Sequence, residues 1–212
     1  MKLTFLGTGT SFGVPQIGCG CEVCASVDPR DKRTRSGALV QTDAGARILI
    51  DTPPELRLQL IAAHVDKVDA VLFTHEHADH IHGIDDVRAL SVRGKAPLRM
   101  YGPEETVRTL RHRFDYIFDD AIKALPGTYK PQARAIELEA GRPVRLADVD
   151  VTAVPVPHGP VTVFAYRIGA LAYVTDAKSV PPEAVQVLRG ARVLVINALF
   201  DHPHPSHLSV GE

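Results

Sequence analysis

Val71-Leu72-Phe73-Thr74-His75-Glu76-His77-Ala78-Asp79-His80 is the stretch on which the reading of this chain turns. Asp69 to Thr74 is a short apolar run, suited to a strand buried on both faces. Directly behind it stand three histidines and an aspartate, His-x-His-x-Asp-His. With 10 histidines in 212 residues, three at fixed places arise by chance at roughly 10⁻⁴ per starting position. In an extended segment His75 and His77 project the same way, so both imidazoles can grip one metal. Asp79 and His80 follow where the chain turns into a helix, and can face a second ion. The bland alternative is a solvated loop or helix cap with incidental histidines.

Working towards the N-terminus, Pro53 and Pro54 open an amphipathic helix from Glu55 to His64, with Leu56, Leu60 and Ile61 on one side. Strands are expected at Gly37 to Thr42 and Ala46 to Asp51, around the turn Asp43-Ala44-Gly45. Lys2 to Leu6 reads as a first strand ending in the glycine-rich segment Gly7 to Gly13. That segment lacks the Gly-Lys-Ser/Thr ending of a phosphate loop and is read as a tight turn.

Towards the C-terminus, Leu98 to Tyr101 reads as a strand and Glu104 to Phe118 as a helix. Val144 to Leu146 and Val149 to Val156 are strands, then Val161 to Ile168 and Leu171 to Thr175 form a hairpin around Gly169-Ala170. A helix from Pro182 to Leu188 and a buried strand from Val193 to Ala198 follow. Strands with interspersed helices in two comparable halves imply a layered α/β architecture. The last residues, Ser206 to Glu212, read as the start of a helix capped by Ser209 with Glu212 three residues on. The chain is therefore expected to be truncated before a C-terminal strand and helix.

A metal held by His75 and His77 alone would be under-coordinated. His158, after the strand ending in Val156, and Asp176, after the strand ending in Thr175, are suitable further ligands. Each taken singly is also an ordinary cap or turn residue. The three cysteines, Cys19, Cys21 and Cys24, sit in one loop, a poor disulfide framework and a good zinc cluster lacking one ligand. A redox pair or plain loop cysteines are the alternatives, and His202 or His204 are candidates for the fourth ligand.

Apolar residues make up 45% and charged ones 23%, the profile of a globular protein, and the 24 basic and 25 acidic side chains leave a net charge of -1. No overall field therefore draws in nucleic acid or anionic membrane. The Arg108-Thr109-Leu110-Arg111-His112-Arg113-Phe114 stretch reads as a solvated helix face over a packed leucine and phenylalanine. No run reaches membrane-spanning length and no secretory signal opens the chain, so a cytoplasmic location is expected.

His75-x-His77-x-Asp79-His80, then His158, then Asp176, resembles the motif series of the metallo-β-lactamase superfamily. Gly7-Thr8-Gly9-Thr10, Cys19-x-Cys21-x-x-Cys24 and Ile50-Asp51-Thr52-Pro53-Pro54-Glu55-Leu56-Arg57 resemble the branch that contains phosphoribosyl 1,2-cyclic phosphate phosphodiesterase, a relative of the tRNA 3′-processing endonucleases. The resemblance implies a four-layer αβ/βα sandwich over a single domain, residues 1–212. It implies one metal on His75, His77 and His158, a second on Asp79 and His80, and Asp176 bridging them. The ions would be zinc or manganese, with one structural zinc on Cys19, Cys21 and Cys24.

The reaction expected is hydrolysis of a small cyclic or nucleotide-like phosphodiester by a metal-bridging hydroxide. Asp79 orients the water, and His207 protonates the leaving group or contacts the phosphate. The partner is then a small phosphorylated substrate, with neither nucleic acid nor membrane, and a homodimer is left open. The competing readings are a carboxylic ester, thioester or lactam hydrolase, an RNA-processing nuclease, and an inactive zinc-binding interaction domain.

Overall fold

The computed structural model describes residues 1–212. Strands β1 (Lys2–Gly7), β2 (Gly37–Gln41) and β3 (Arg47–Ile50) lead into β4 (Ala70–Leu72), β5 (Leu98–Gly102) and β6 (Ala133–Glu137). They form one sheet in sequence order, antiparallel from β1 to β3 and parallel from β3 to β6. The second sheet has β7 (Pro143–Leu146), β8 (Val149–His158), β9 (Val161–Ile168), β10 (Leu171–Val174) and β11 (Val193–Ile196), in spatial order β11-β10-β9-β8-β7. Helices α1 (Glu22–Ala25), α2 (Leu56–Ala62), α3 (Ala78–Ile81), α4 (Val87–Gly94), α5 (Glu104–Arg113), α6 (Asp115–Phe118) and α7 (Pro182–Leu188) complete the order.

Side-chain alternation sorts these elements into four layers. Val40, Ile48, Ile50, Ala70 and Leu72 of the first sheet meet Val151, Ala153, Tyr166 and Ile168 of the second in one core. The opposite side chains of the first sheet, Leu49, Val71, Phe73 and Met100, pack under Leu56, Ile81, Leu90 and Leu110 of the helices. Outside the second sheet, Val154, Val163 and Val174 pack against Ala184 and Leu188 of α7. The run before His75 is apolar at every position because β4 has a core on each side. This is the αβ/βα sandwich.

Three expectations need correction. Val193 to Ala198 is not a buried strand, since β11 ends at Ile196 and lies at the sheet edge, with Val193, Leu194 and Ile196 all exposed. Continuous apolarity marks a two-sided core only when other layers cover both faces, and β11 has a neighbour on one side alone. The helix from Glu104 to Phe118 is broken at Phe114, whose φ of -127° and ψ of 42° lie outside the helical well. No helix follows Ser206. Even so, Ser209 N–H and Oγ donate to Glu212 Oε2 at 3.0 and 2.9 Å, as a cap would.

Close backbone packing locks the active end of the first sheet. Thr52 N–H donates to His80 O at 2.7 Å, and Gly83 N–H to Thr52 O at 2.8 Å. A Cβ on Gly83 would run into the Pro53 carbonyl, whereas one on Gly94, the last residue of α4, would meet nothing within 4 Å. Gly83→Ala is expected to lower stability by about 1–3 kcal/mol. Gly94→Ala is expected to raise it by about 0.5–1 kcal/mol through lost unfolded-state entropy. Thermal unfolding of the two variants in parallel checks both signs.

Candidate metal centre

The residues singled out in the histidine stretch, His158 and Asp176 converge, all at the C-terminal ends of strands. His75 to His80 follow β4, His158 ends β8, and Asp176 follows β10. His75 and His80 are 0% and 1% exposed, and His158 is 6%. Their donor atoms fall in two overlapping groups, His75 with His77 and His158, and His75 with His80 and Asp176. Within each group every donor lies within 4.8 Å of the others. His75 Nε2 stands 2.9 Å from His77 Nδ1. His80 Nε2 is 2.8 Å from Asp176 Oδ2 and 3.5 Å from Asp79 Oδ2.

The outward-facing nitrogens are fixed by hydrogen bonds. His158 Nδ1 donates to Ser206 O at 2.8 Å, which leaves Nε2 as the lone-pair nitrogen. His80 Nδ1 meets Asp51 Oδ2 at 2.8 Å, and the same carboxylate accepts from Thr74 N–H and Oγ1, each at 2.8 Å. Asp51 is 0% exposed. Both Asp51 and Asp176 hold positive φ, 61° and 49°, a region where aspartate is tolerated better than most residues. Asp51 stood in the sequence as part of a resemblance only. A carboxylate at a strand end, the signal that picked out Asp176, was present there too.

Electrostatics follow from this crowding. Burial disfavours the charged form of His80, but Asp51 and Asp176 outweigh it and hold its pKa well above the ordinary value. Burial lowers His75 well below its own, helped by the neighbouring His80. Burial opposes ionisation of Asp176, yet the hydrogen bond and charge of His80 keep its carboxyl below the usual carboxylate range. Imidazoles and carboxylates presented this way, with outer nitrogens already engaged, are a donor set suited to divalent cations. The residues fit such ions.

The donors form the floor of a cavity of about 420 Å³. Thr8, Thr10, Ser11, Ser36, Asn197 and His207 stand on its walls, and its only apolar side chains are Ala198 and Leu199. The Gly7 to Gly13 turn is thus a pocket wall, which composition alone could not reveal. Arg33 and Arg35 hold it, donating at 2.8 Å to Thr8 Oγ1 and Ser11 O. His207 does reach the site, with Nδ1 3.7 Å from Asp176 Oδ1 and no hydrogen-bond partner.

The sulfurs of Cys19, Cys21 and Cys24 lie within 4.8 Å of one another, and no histidine joins them. His202 and His204 instead flank Phe200, His204 stacked on its ring at 4.3 Å. They do not complete the cysteine site.

Comparison with known proteins decides the family, since the one described as beta-lactamase superfamily domain matches residues 46–212. The chain belongs to the metallo-β-lactamase superfamily. A crystal structure of a diphosphatase from the PhnP family is 42% identical, with a TM-score of 0.87, covering 99% of this chain and 78% of that one. A Porphyromonas gingivalis protein named octanoyltransferase is 40% identical over 213 residues, which is 100% of this chain and 42% of that protein. Zn(2+)-bound PqqB from Methylobacterium extorquens shares the fold at a TM-score of 0.74 and 20% identity, over 95% of this chain and 74% of that one. The chain spans about half or less of the first curated relatives it matches, 42% and 53% of their lengths. It has the metallo-β-lactamase fold, and no helix is long and apolar enough to cross a membrane.

Asp51→Asn tests whether the outer carboxylate serves the metal centre of this superfamily member. Asn tolerates the positive φ, so the fold is expected to survive. Affinity for zinc should fall about 10–100-fold by competition with a chelator.

Proposed function

We propose that the chain is a phosphodiesterase that uses two divalent cations, zinc or manganese, to hydrolyse a small phosphorylated substrate. One observation carries this reading: five donors from the ends of three strands, His77, Asp79, His80, His158 and Asp176, face one polar cavity. The 42% identical diphosphatase supports phosphorus as the centre attacked. A third ion, zinc, is assigned to Cys19, Cys21 and Cys24.

His75, His77 and His158 would hold one ion, and His80 with Asp176 the other, His75 lying within reach of both. Bound there, the cations supply a water of lowered pKa and positive charge for a phosphoryl oxygen. Asp79, half-buried beside His80, accepts a hydrogen bond from the attacking water and aims its lone pair. Asp51 keeps the His80 ring from turning. His207 stands across from Asp176 with a free Nδ1, placed to give a proton to the leaving oxygen. Burial lowers the His207 pKa, and the facing Asp176 charge opposes that shift.

A second reading, hydrolysis of an acyl thioester, is favoured by the name of the P. gingivalis relative. The cavity argues against it, because a medium-length acyl chain needs apolar walls and only Ala198 and Leu199 provide any. No lysine or arginine lines the cavity either. Nucleic acid, whose binding rests on many phosphate contacts, is a poorer candidate than a small diester.

The metal-loaded chain is expected to turn over bis-p-nitrophenyl phosphate and to leave a thioester untouched; the opposite preference would reverse the two readings. His77→Ala should reduce that turnover to background with the fold retained by circular dichroism, and chelation should do the same. An undiminished rate in this variant removes the assignment. His207→Ala should keep its metal content and lose about 10²–10⁴-fold in kcat, measured by steady-state kinetics beside elemental analysis.

A further inference from the structure

We infer that Asn197 is a positioning residue for Asp176, setting its carboxylate and fixing its relation to His207. The inference rests on reading Asp176 as a metal ligand in the group it forms with His75 and His80. Asn197 follows the exposed edge strand β11, where a polar residue needs no special explanation. What sets it apart is where its carboxamide goes. Oδ1 accepts from Ala177 N–H at 2.9 Å, and Nδ2 donates back to Ala177 O at 3.4 Å. Both bonds close on the residue directly after Asp176.

Three chain segments meet at that residue. Leu208 N–H donates to the same Ala177 carbonyl at 2.8 Å, so the segment carrying His207 is tied to the turn carrying Asp176. Leu199 N–H in turn donates to Leu208 O at 3.0 Å, closing the loop back to Asn197. Ala177 is 0% exposed, so its peptide groups have no water to fall back on. Asp176 sits at a φ of 49°, a conformation an L residue holds only when its surroundings over-determine it. Asn197 supplies that constraint on the C-terminal side. On the N-terminal side the constraint is β10, pinned to β11 by Asn197 N–H donating to Val174 O at 3.2 Å. One asparagine therefore grips the turn from both directions. Its side chain also lines the cavity, 16 residues of which include no lysine or arginine that could place Asp176 by charge.

Without this clamp the turn relaxes and the Asp176 carboxylate drifts from His80 Nε2, while His75, His77 and His158 keep their own supports. The group that includes Asp176 should thus weaken selectively. The test titrates the metal-free full chain with Zn²⁺ against a chromophoric chelator, and with Co²⁺ followed by its visible absorption. Asn197→Ala, which removes both side-chain bonds, is expected to lower affinity for one of the two ions about 10–100-fold and leave the other unchanged. Asn197→Ser, too short to span both groups, should do the same and serves if the alanine variant fails to fold. Leu188→Ala, in the core under α7, is the control for general loss of stability. Wild-type affinity for both ions in the serine variant overturns the proposal. A selective loss that the control shares at a matched drop in Tm overturns it as well. If the unaltered chain binds no ion that His77→Ala loses, the metal-centre reading itself fails, and this inference with it.

Discussion

Asp51 is a charge with no access to water, and the site depends on how that burial is resolved. A buried carboxylate is costly unless its lone pairs are occupied. Here Thr74 takes them through two bonds and the His80 ring through a third. The first interaction fixes the chain just before His75, and the second fixes the ring of His80. Both ends of the histidine stretch are thereby referred to one rigid point at the tip of β3. A looser arrangement would leave the imidazoles free to rotate, and cation sites lose affinity when their ligands must be ordered on binding.

The second sheet adds a reference of its own. Phe164 N–H donates to Thr74 O at 2.9 Å, and the buried Tyr166 hydroxyl donates to Phe73 O. Backbone carbonyls that would otherwise lie between the sheets without partners are thus satisfied across the interface. The same bonds set the height of β4 relative to β8 and β10, which bring His158 and Asp176. The ligands meet because two sheets are registered by polar contacts at their shared rim, while the apolar core between them supplies the adhesion.

Much of this was legible before any coordinates. The five donors that converge, His75, His77, His80, His158 and Asp176, were readable because chemistry restricts which residue types can fill such sites, and because strand ends carry turn signals. The strands with two covered faces were readable from unbroken apolarity. β11 was misread for the same reason, since apolarity says nothing of whether a second layer is present. Phe114 looked helical because its break is set by local dihedrals rather than composition. β6 escaped notice because Arg134 and Glu137 interrupt a run that pairing with β5 makes a strand. Asp51 and Asn197 carry no spacing signature of their own. Their roles lie in hydrogen bonds between segments far apart in sequence, which only folding reveals.

The cavity's walls bear hydroxyls, amides and imidazoles, and the acidic groups Asp79 and Asp176 face its interior. An arriving anion finds no lysine or arginine there to meet it. Without added cations, its carboxylates leave such a hollow little pull on an anion. Occupancy by substrate and occupancy by metal then become one event seen from two directions. In such a protein the supply of free divalent ions would govern who enters the site, and not only how quickly it works.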